Sequence, residues 1–221
     1  MTLTELIRRF RTLSNDRVAP YFWSDADVTD WLNDAQRQAC IRGRLLREDD
    51  LDAVCLIPLV LTKKTYVLHP AVYEIINIRM ICGTDRPVDR DIVSSEWLDG
   101  KLSDWRNQVG DSRFVIQNDT TIRVVGEPIV GDALKLECYR LPIEVLEDGD
   151  DEPEIHSAHH EHLIQWALHK AFSIPDADSF DANRSDQAEE SFTRYFGRLP
   201  DADMRRVTRH DEVQHNELIL P

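Results

Sequence analysis

The feature that most constrains this chain is a change of apolar period along it. Leu3, Leu6, Ile7, Phe10 and Leu13 recur at helical spacing, and so do Val28, Trp31, Leu32, Ala35 and Ala39. From about residue 53 to 140 the pattern falls to the two-residue period of strands. Helical spacing returns at 156–173 and at about 180–196. The order is helix, helix, strands, helix, helix. Each outer stripe needs an apolar partner, and the economical closure packs the two ends of the chain on one another. The expectation is an α+β fold. Its N- and C-terminal helix pairs (1–50 and 151–197) form a helical bundle, 51–150 form an inserted antiparallel β-rich module, and 198–221 form an extended C-terminal tail.

Local signals set the element ends. Thr2 or Thr4 can cap the first helix. Ser24 is a good N-cap for the second, Asp25 and Asp27 suit its positive end, and Trp23 with Val28 has hydrophobic-staple spacing. That helix is expected to reach about Leu46, before Glu48-Asp49-Asp50. Pro58 lies inside the apolar run 53–61, so the strand there is bent or at an edge. Thr65–Leu68 and Val72–Ile81 read as strands, Cys82-Gly83-Thr84-Asp85 as a turn, and 91–105 as partly helical, anchored by Ile92, Trp97, Leu98 and Trp105. Phe114–Ile116 and Ile122–Val125 suggest a hairpin across Asn118-Asp119-Thr120. Leu134, Leu136 and Cys138 alternate with Lys135, Glu137 and Tyr139, which predicts one buried and one wet face. Leu163, Ile164, Trp166, Ala167, Ala171 and Phe172 form the third helical face. Ala188, Phe192, Tyr195 and Phe196 form the fourth, closed by Gly197.

Charge narrows the function. The chain carries 26 basic and 41 acidic residues, a net of −15, and 144–190 alone hold fourteen acids against Lys170 and Arg184, a net of −12. Such a surface is ill suited to gripping phosphates. It reads either as a solubilising face or as one that repels DNA. Cys40, Cys55, Cys82 and Cys138 lack the paired spacing of zinc sites and read as reduced thiols. Five of the eight histidines fall between 156 and 169. His156 and His160 have a metal-compatible spacing, but an HExxH site would need histidine at Ile164, and no third ligand is spaced to complete a site. Phosphate loops, GxGxxG and GxSxG are absent from the sequence. The five tryptophans lie on apolar faces with no basic groove beside them. The expectation is a protein that is not an enzyme, with no cofactor, metal or membrane span. Glu5, Arg8, Arg9 and Arg11 argue against a signal peptide.

Several phrases, in order, resemble the bacteriophage head–tail connector or phage adaptor family. They are Trp23-Ser24-Asp25-Ala26-Asp27-Val28 leading into Trp31-Leu32-Asn33-Asp34-Ala35-Gln36; Thr65-Tyr66-Val67-Leu68-His69-Pro70-Ala71-Val72; and Tyr139-Arg140-Leu141-Pro142. Asp151-Glu152-Pro153-Glu154-Ile155 before His159-His160 and Trp166-Ala167-Leu168, then Asp176-Ala177-Asp178 and Phe196-Gly197, complete a likeness over about 2–197. The resemblance implies a virion subunit at the head–tail interface, assembled in the host cytoplasm. It implies a ring, usually a dodecamer, that binds the portal protein, receives tail or nozzle proteins and extends the DNA channel, with DNA passing through unbound. Read with the charge, Glu144, Glu147, Asp148, Asp150, Asp151 and Glu152 are the candidate channel lining. Arg205, Arg206, Arg209, Leu218, Ile219 and Leu220 are the candidate portal or tail contact. The competing expectations are a non-enzymatic phage or bacterial interaction or regulatory module, and an enzyme with a hydrolytic or metal site at His156–His162.

Overall fold

The computed structural model describes residues 1–82, 87–102, 104–110, 113–127, 131–175 and 179–200. In chain order these form α1 (Leu3–Ser14), α2 (Asp25–Gly43), β1 (Leu46–Glu48), the one-turn α3 (Asp52–Cys55), β2 (Leu56–Pro58), β3 (Thr65–Val67) and β4 (Val72–Cys82). There follow β5 (Val88–Ile92), α4 (Ser95–Lys101), β6 (Phe114–Gln117), β7 (Thr121–Val124), β8 (Asp132–Arg140), α5 (His160–Ser173) and α6 (Ala182–Phe196). Two compact units result: Met1–Leu46 with Arg140–Pro200, and Arg47–Tyr139.

In the first unit α1, α2, α5 and α6 bury their apolar stripes in one core, where Phe10, Leu32, Leu163, Ile164 and Phe192 are fully enclosed. Thr2 and Glu5 form a capping box on α1, and Ser24 and Asp27 form one on α2. Trp23 and Val28, the staple pair, are both buried. Asn15 ends α1 in the left-handed conformation that asparagine tolerates. The helix α2 stops at Gly43, with Arg44 left-handed, because Leu46 already begins a strand; the expected end at Leu46 is corrected. Gly197 ends α6 at φ +93°, where a side chain would be strained.

An unforeseen cation organises the α1–α2 connection. Arg11 is 6% exposed. It pairs with Asp16 at 2.8 Å and with Asp25, donates to the Trp23 carbonyl at 3.1 Å, and lies 3.7 Å from the Tyr21 ring centre. Asp16 in turn accepts the Phe22 amide at 3.0 Å.

The second unit is an eight-stranded sheet in the order β1-β8-β4-β5-β6-β7-β3, with β2 also on β8. A flat path from β2 to β3 would separate the outer strands by roughly 29 Å. Only residues 59–64 join those strands, a reach of at most about 25 Å, further shortened by a turn in which the Lys63 amide donates to the Val60 carbonyl. The sheet therefore curls into a half-barrel. Its concave core holds Ile78, Met80, Ile122, Leu134, Leu136 and Cys138. Tyr66, buried there, accepts the Val60 amide at 2.9 Å and donates to the Lys63 carbonyl at 2.7 Å, which pins the joining turn.

This architecture corrects the expectation of a helical bundle with an inserted antiparallel module. The chain is mixed α/β, with six helices among the described residues, and its β half is a half-barrel with a core of its own. The sheet is also not purely antiparallel: β5 and β6 run parallel, Asp91 opposite Phe114 and Ile92 opposite Val115. Parallel neighbours cannot be closed by a hairpin. The crossover contains α4, and Leu98, Trp105, Ile116 and Val125 form a small core beneath it. The strand β5 went unread because Val88-Asp89-Arg90-Asp91-Ile92 looks like polar surface. Ala53–Cys55, expected as strand, make the one-turn α3. Pro58 does lie in an edge strand, opposite Ala133. Gly83-Thr84-Asp85 lie outside the described residues.

Candidate functional site

The acidic segment 144–154 is not a loose linker. Its backbone is tied down by side chains of α2 and by backbone amides at the start of α1. Asn33 on α2 makes two bonds with Leu146, accepting its amide at 2.8 Å and donating to its carbonyl at 3.0 Å. Gln36, one turn further along α2, accepts the Glu154 amide at 2.7 Å. At the start of α1 the Leu3 and Thr4 amides donate to the Asp151 and Gly149 carbonyls at 2.8 and 3.0 Å, using donors that a helix start leaves unpaired.

Two of the acids act inward. The Glu154 carboxylate accepts the Ile143 and Glu144 amides and pairs with Arg140. The Asp151 carboxylate accepts the Glu147 and Asp148 amides, both at 2.8 Å, and those two bonds hold it below the usual carboxylate range. Of the six candidate lining residues, Asp151 is thus the staple of the loop. Glu144, Glu147, Asp148, Asp150 and Glu152 are exposed. Leu146 and Ile155 belong to the helical core and anchor the loop from below, and Pro153 is buried as well. An open groove between α1, α2 and this loop extends the acidic surface through Asp25, Asp30 and Glu147.

The histidines separate by role. His160 is fully buried, with Nε2 2.8 Å from the Ile155 carbonyl and Nδ1 2.8 Å from the Met1 nitrogen, so both ring nitrogens are engaged. His156 caps the turn before α5 by accepting the Ala158 amide. His162 stacks on Tyr195 of α6 at 3.5 Å between ring centres, and His159 Nδ1 lies 3.1 Å from the Tyr195 hydroxyl. Among the described residues no group of three or more histidine, cysteine or carboxylate side chains is placed to hold a metal. Cys40, Cys55 and Cys138 are buried and outside any disulfide, and burial pushes the Cys40 thiol up to about 12.

Burial first, then the neighbouring imidazoles of His156, His162 and His160, hold His159 below the usual histidine value. The folded state therefore favours neutral His159. Its contribution is complete above the unfolded value of about 6.5 and is lost as pH falls through the lower folded value. A proton there would also sit at the positive start of α5. Between pH 7.5 and 5 the wild type is expected to lose more stability than His159→Gln, by less than about 1 kcal/mol for this partly exposed group. Parallel urea-unfolding curves for the two proteins across that range would count against this.

Arg205, Arg206, Arg209, Leu218, Ile219 and Leu220 lie outside the described residues, as do Asp176-Ala177-Asp178. Sequence reading missed Asn33, Gln36 and Arg11. The legible signal was polar side chains set among buried positions of amphipathic helices: Asn33 and Gln36 flank Ala35, and Arg11 follows Phe10.

The described residues thus build a pinned acidic loop on a helical unit and a curled sheet as a second unit. The sequence profile of the SU10 adaptor protein family matches residues 1–214, and the chain belongs to that family. It is a structural adaptor protein of bacteriophages, a virion component that contacts other head or tail proteins. No curated relative matches the chain. Among the described residues no helix is long and apolar enough to cross a membrane.

Proposed function

We propose that this protein is a head–tail connector subunit. Copies close into a ring, twelve in number, that binds the portal protein on one side and tail or nozzle proteins on the other and extends the DNA channel. A ring subunit needs head-to-tail contacts that close on themselves. It works by shape and contact, with no reaction of its own, and assembles in the host cytoplasm. The observation that carries this reading is the family match over nearly the whole chain. Native mass spectrometry and electron microscopy of the protein mixed with purified portal test it. A twelvefold ring seated on the portal is expected. A protein that stays monomeric and ignores the portal overturns the reading and favours an interaction or regulatory module of another kind.

Within that reading, the five exposed carboxylates of the pinned loop line the channel. Their backbone is held, so their charge stays at fixed positions instead of folding back onto the protein. Changing Glu144, Glu147, Asp148, Asp150 and Glu152 together to their amides removes five negative charges per subunit and leaves Asp151 in place. The expected result is rings that retain DNA at low salt where the wild type does not, with the retention abolished near 0.2 M salt. Identical DNA behaviour of the two rings removes the loop from the channel. The residues Arg205, Arg206, Arg209, Leu218, Ile219 and Leu220 are proposed as a portal or tail contact. Portal binding that survives removal of 201–221 ends that assignment.

A further inference from the structure

The two margins of the curled sheet differ. On the β8 side the margin is broken by α3 and carries Pro58, which has no amide to offer. On the opposite side, among the described residues, β3 has only β7 as a neighbour. The register shows which of its groups are spare. The Val124 amide donates to the Lys64 carbonyl and the Leu68 amide to the Thr120 carbonyl, so positions 64, 66 and 68 face β7. In an antiparallel ladder the intervening residues turn their amides and carbonyls the other way. Thr65 and Val67 therefore present theirs at an open margin.

Three further observations say what this margin fits. Val67 is 76% exposed, and Val60 and Leu61 in the turn before β3 are both more than half exposed. The margin is preorganised, because Tyr66 pins the preceding turn. It is also positive within an acidic protein. The Lys64 ammonium rests on the Arg106 and Gln108 carbonyls, and Lys63 lies over the Tyr66 ring at 5.1 Å. Among the described residues neither lysine is paired with a carboxylate.

We infer that β3 is a docking edge for an extended, acidic segment of a partner protein. That segment adds a strand along Thr65–Val67, seats apolar side chains against Val67, and sets carboxylates on Lys63 and Lys64. Backbone bonds supply the geometry, and the lysines select the charge.

The test uses the full chain and a fluorescent octapeptide alternating valine with glutamate, followed by fluorescence anisotropy. The acidic peptide is expected to bind about tenfold or more tightly than its valine–lysine counterpart. N-methylation of alternate peptide amides is expected to abolish binding. Val67→Pro removes an outward amide without touching the ladder to β7, and is expected to abolish binding while the melting curve stays near that of the wild type. Lys63→Glu with Lys64→Glu, which leaves the strand itself intact, is expected to reverse the charge preference. Equal affinity for the two peptides overturns the inference, as does binding that survives Val67→Pro in a folded protein, or no binding at all. Sedimentation showing that two copies pair through β3 instead replaces the proposed occupant and overturns it too. None of these outcomes depends on portal binding, so the inference can fail while the connector reading stands.

Discussion

Replacing Arg11 with alanine is expected to destabilise the helical unit by about 3–5 kcal/mol, the cost of breaking a buried ion pair by removing one partner. The Arg11 and Asp16 side chains are only 8% and 9% exposed. Without the guanidinium, Asp16 keeps the Phe22 amide but loses its countercharge. The Trp23 carbonyl also loses its donor, and the Tyr21 ring its cation. The damage spreads because this connection positions Trp23, whose ring packs edge-on against Phe10 and Phe172 at 5.7 and 5.6 Å. Arg11→Met separates charge from packing. It keeps most of the apolar stem and is expected to lose nearly as much, since the stranded carboxylate is the main cost. Adding Asp16→Asn to Arg11→Met should recover part of the loss. Urea unfolding of the four proteins measures this, and a loss below about 1 kcal/mol in Arg11→Ala would show the pair to be solvated.

Asn33→Ala is the second large effect, and it bears on the acidic loop directly. One side chain serves both backbone groups of Leu146, a residue 3% exposed. Alanine leaves an amide and a carbonyl near the core without partners. At about 1–3 kcal/mol for each such group, and with water able to reach part of the site, the expected loss is about 2–3 kcal/mol. Asn33→Asp keeps the acceptor for the Leu146 amide but turns an oxygen toward its carbonyl, so a smaller loss is expected. The sharper readout is hydrogen exchange at the Leu146 amide, which should quicken in Asn33→Ala while the core amides of α5 keep their protection. If Leu146 exchanges at the wild-type rate in a folded Asn33→Ala protein, the Asn33 clasp is not what holds this part of the loop. In the connector reading, freeing the loop should reproduce part of the DNA retention expected from neutralising it, because charges that can fold away no longer repel at a fixed place.

The two variants touch what the sequence concealed. A capping box or a staple is written within a few adjacent residues, so the start of α2 at Ser24 was readable, as was the alternation of Leu134, Leu136 and Cys138 in β8. Asn33 meets Leu146 across 113 positions, and its place beside buried helix positions shows that it needs a partner but not which distant loop supplies it. The order within the acidic segment was hidden for the same reason: composition reports the charge of Asp151 and Glu154 but not that both carboxylates are spent on backbone amides. The charge of the five remaining acids was legible, whereas their fixed placement was not.

By itself the sequence determined the helices α1, α2, α5 and α6, the hairpin of β6 and β7, and the acidity of the 144–154 stretch. Each of these depends on neighbours a few residues apart, where period, caps and charge act directly. The tertiary structure alone decided that β5 and β6 run parallel, that the sheet curls, and that Arg11 and Asn33 carry their connections. Those outcomes turn on closure: six residues had to join two sheet margins, and buried amides and carboxylates had to find partners far along the chain.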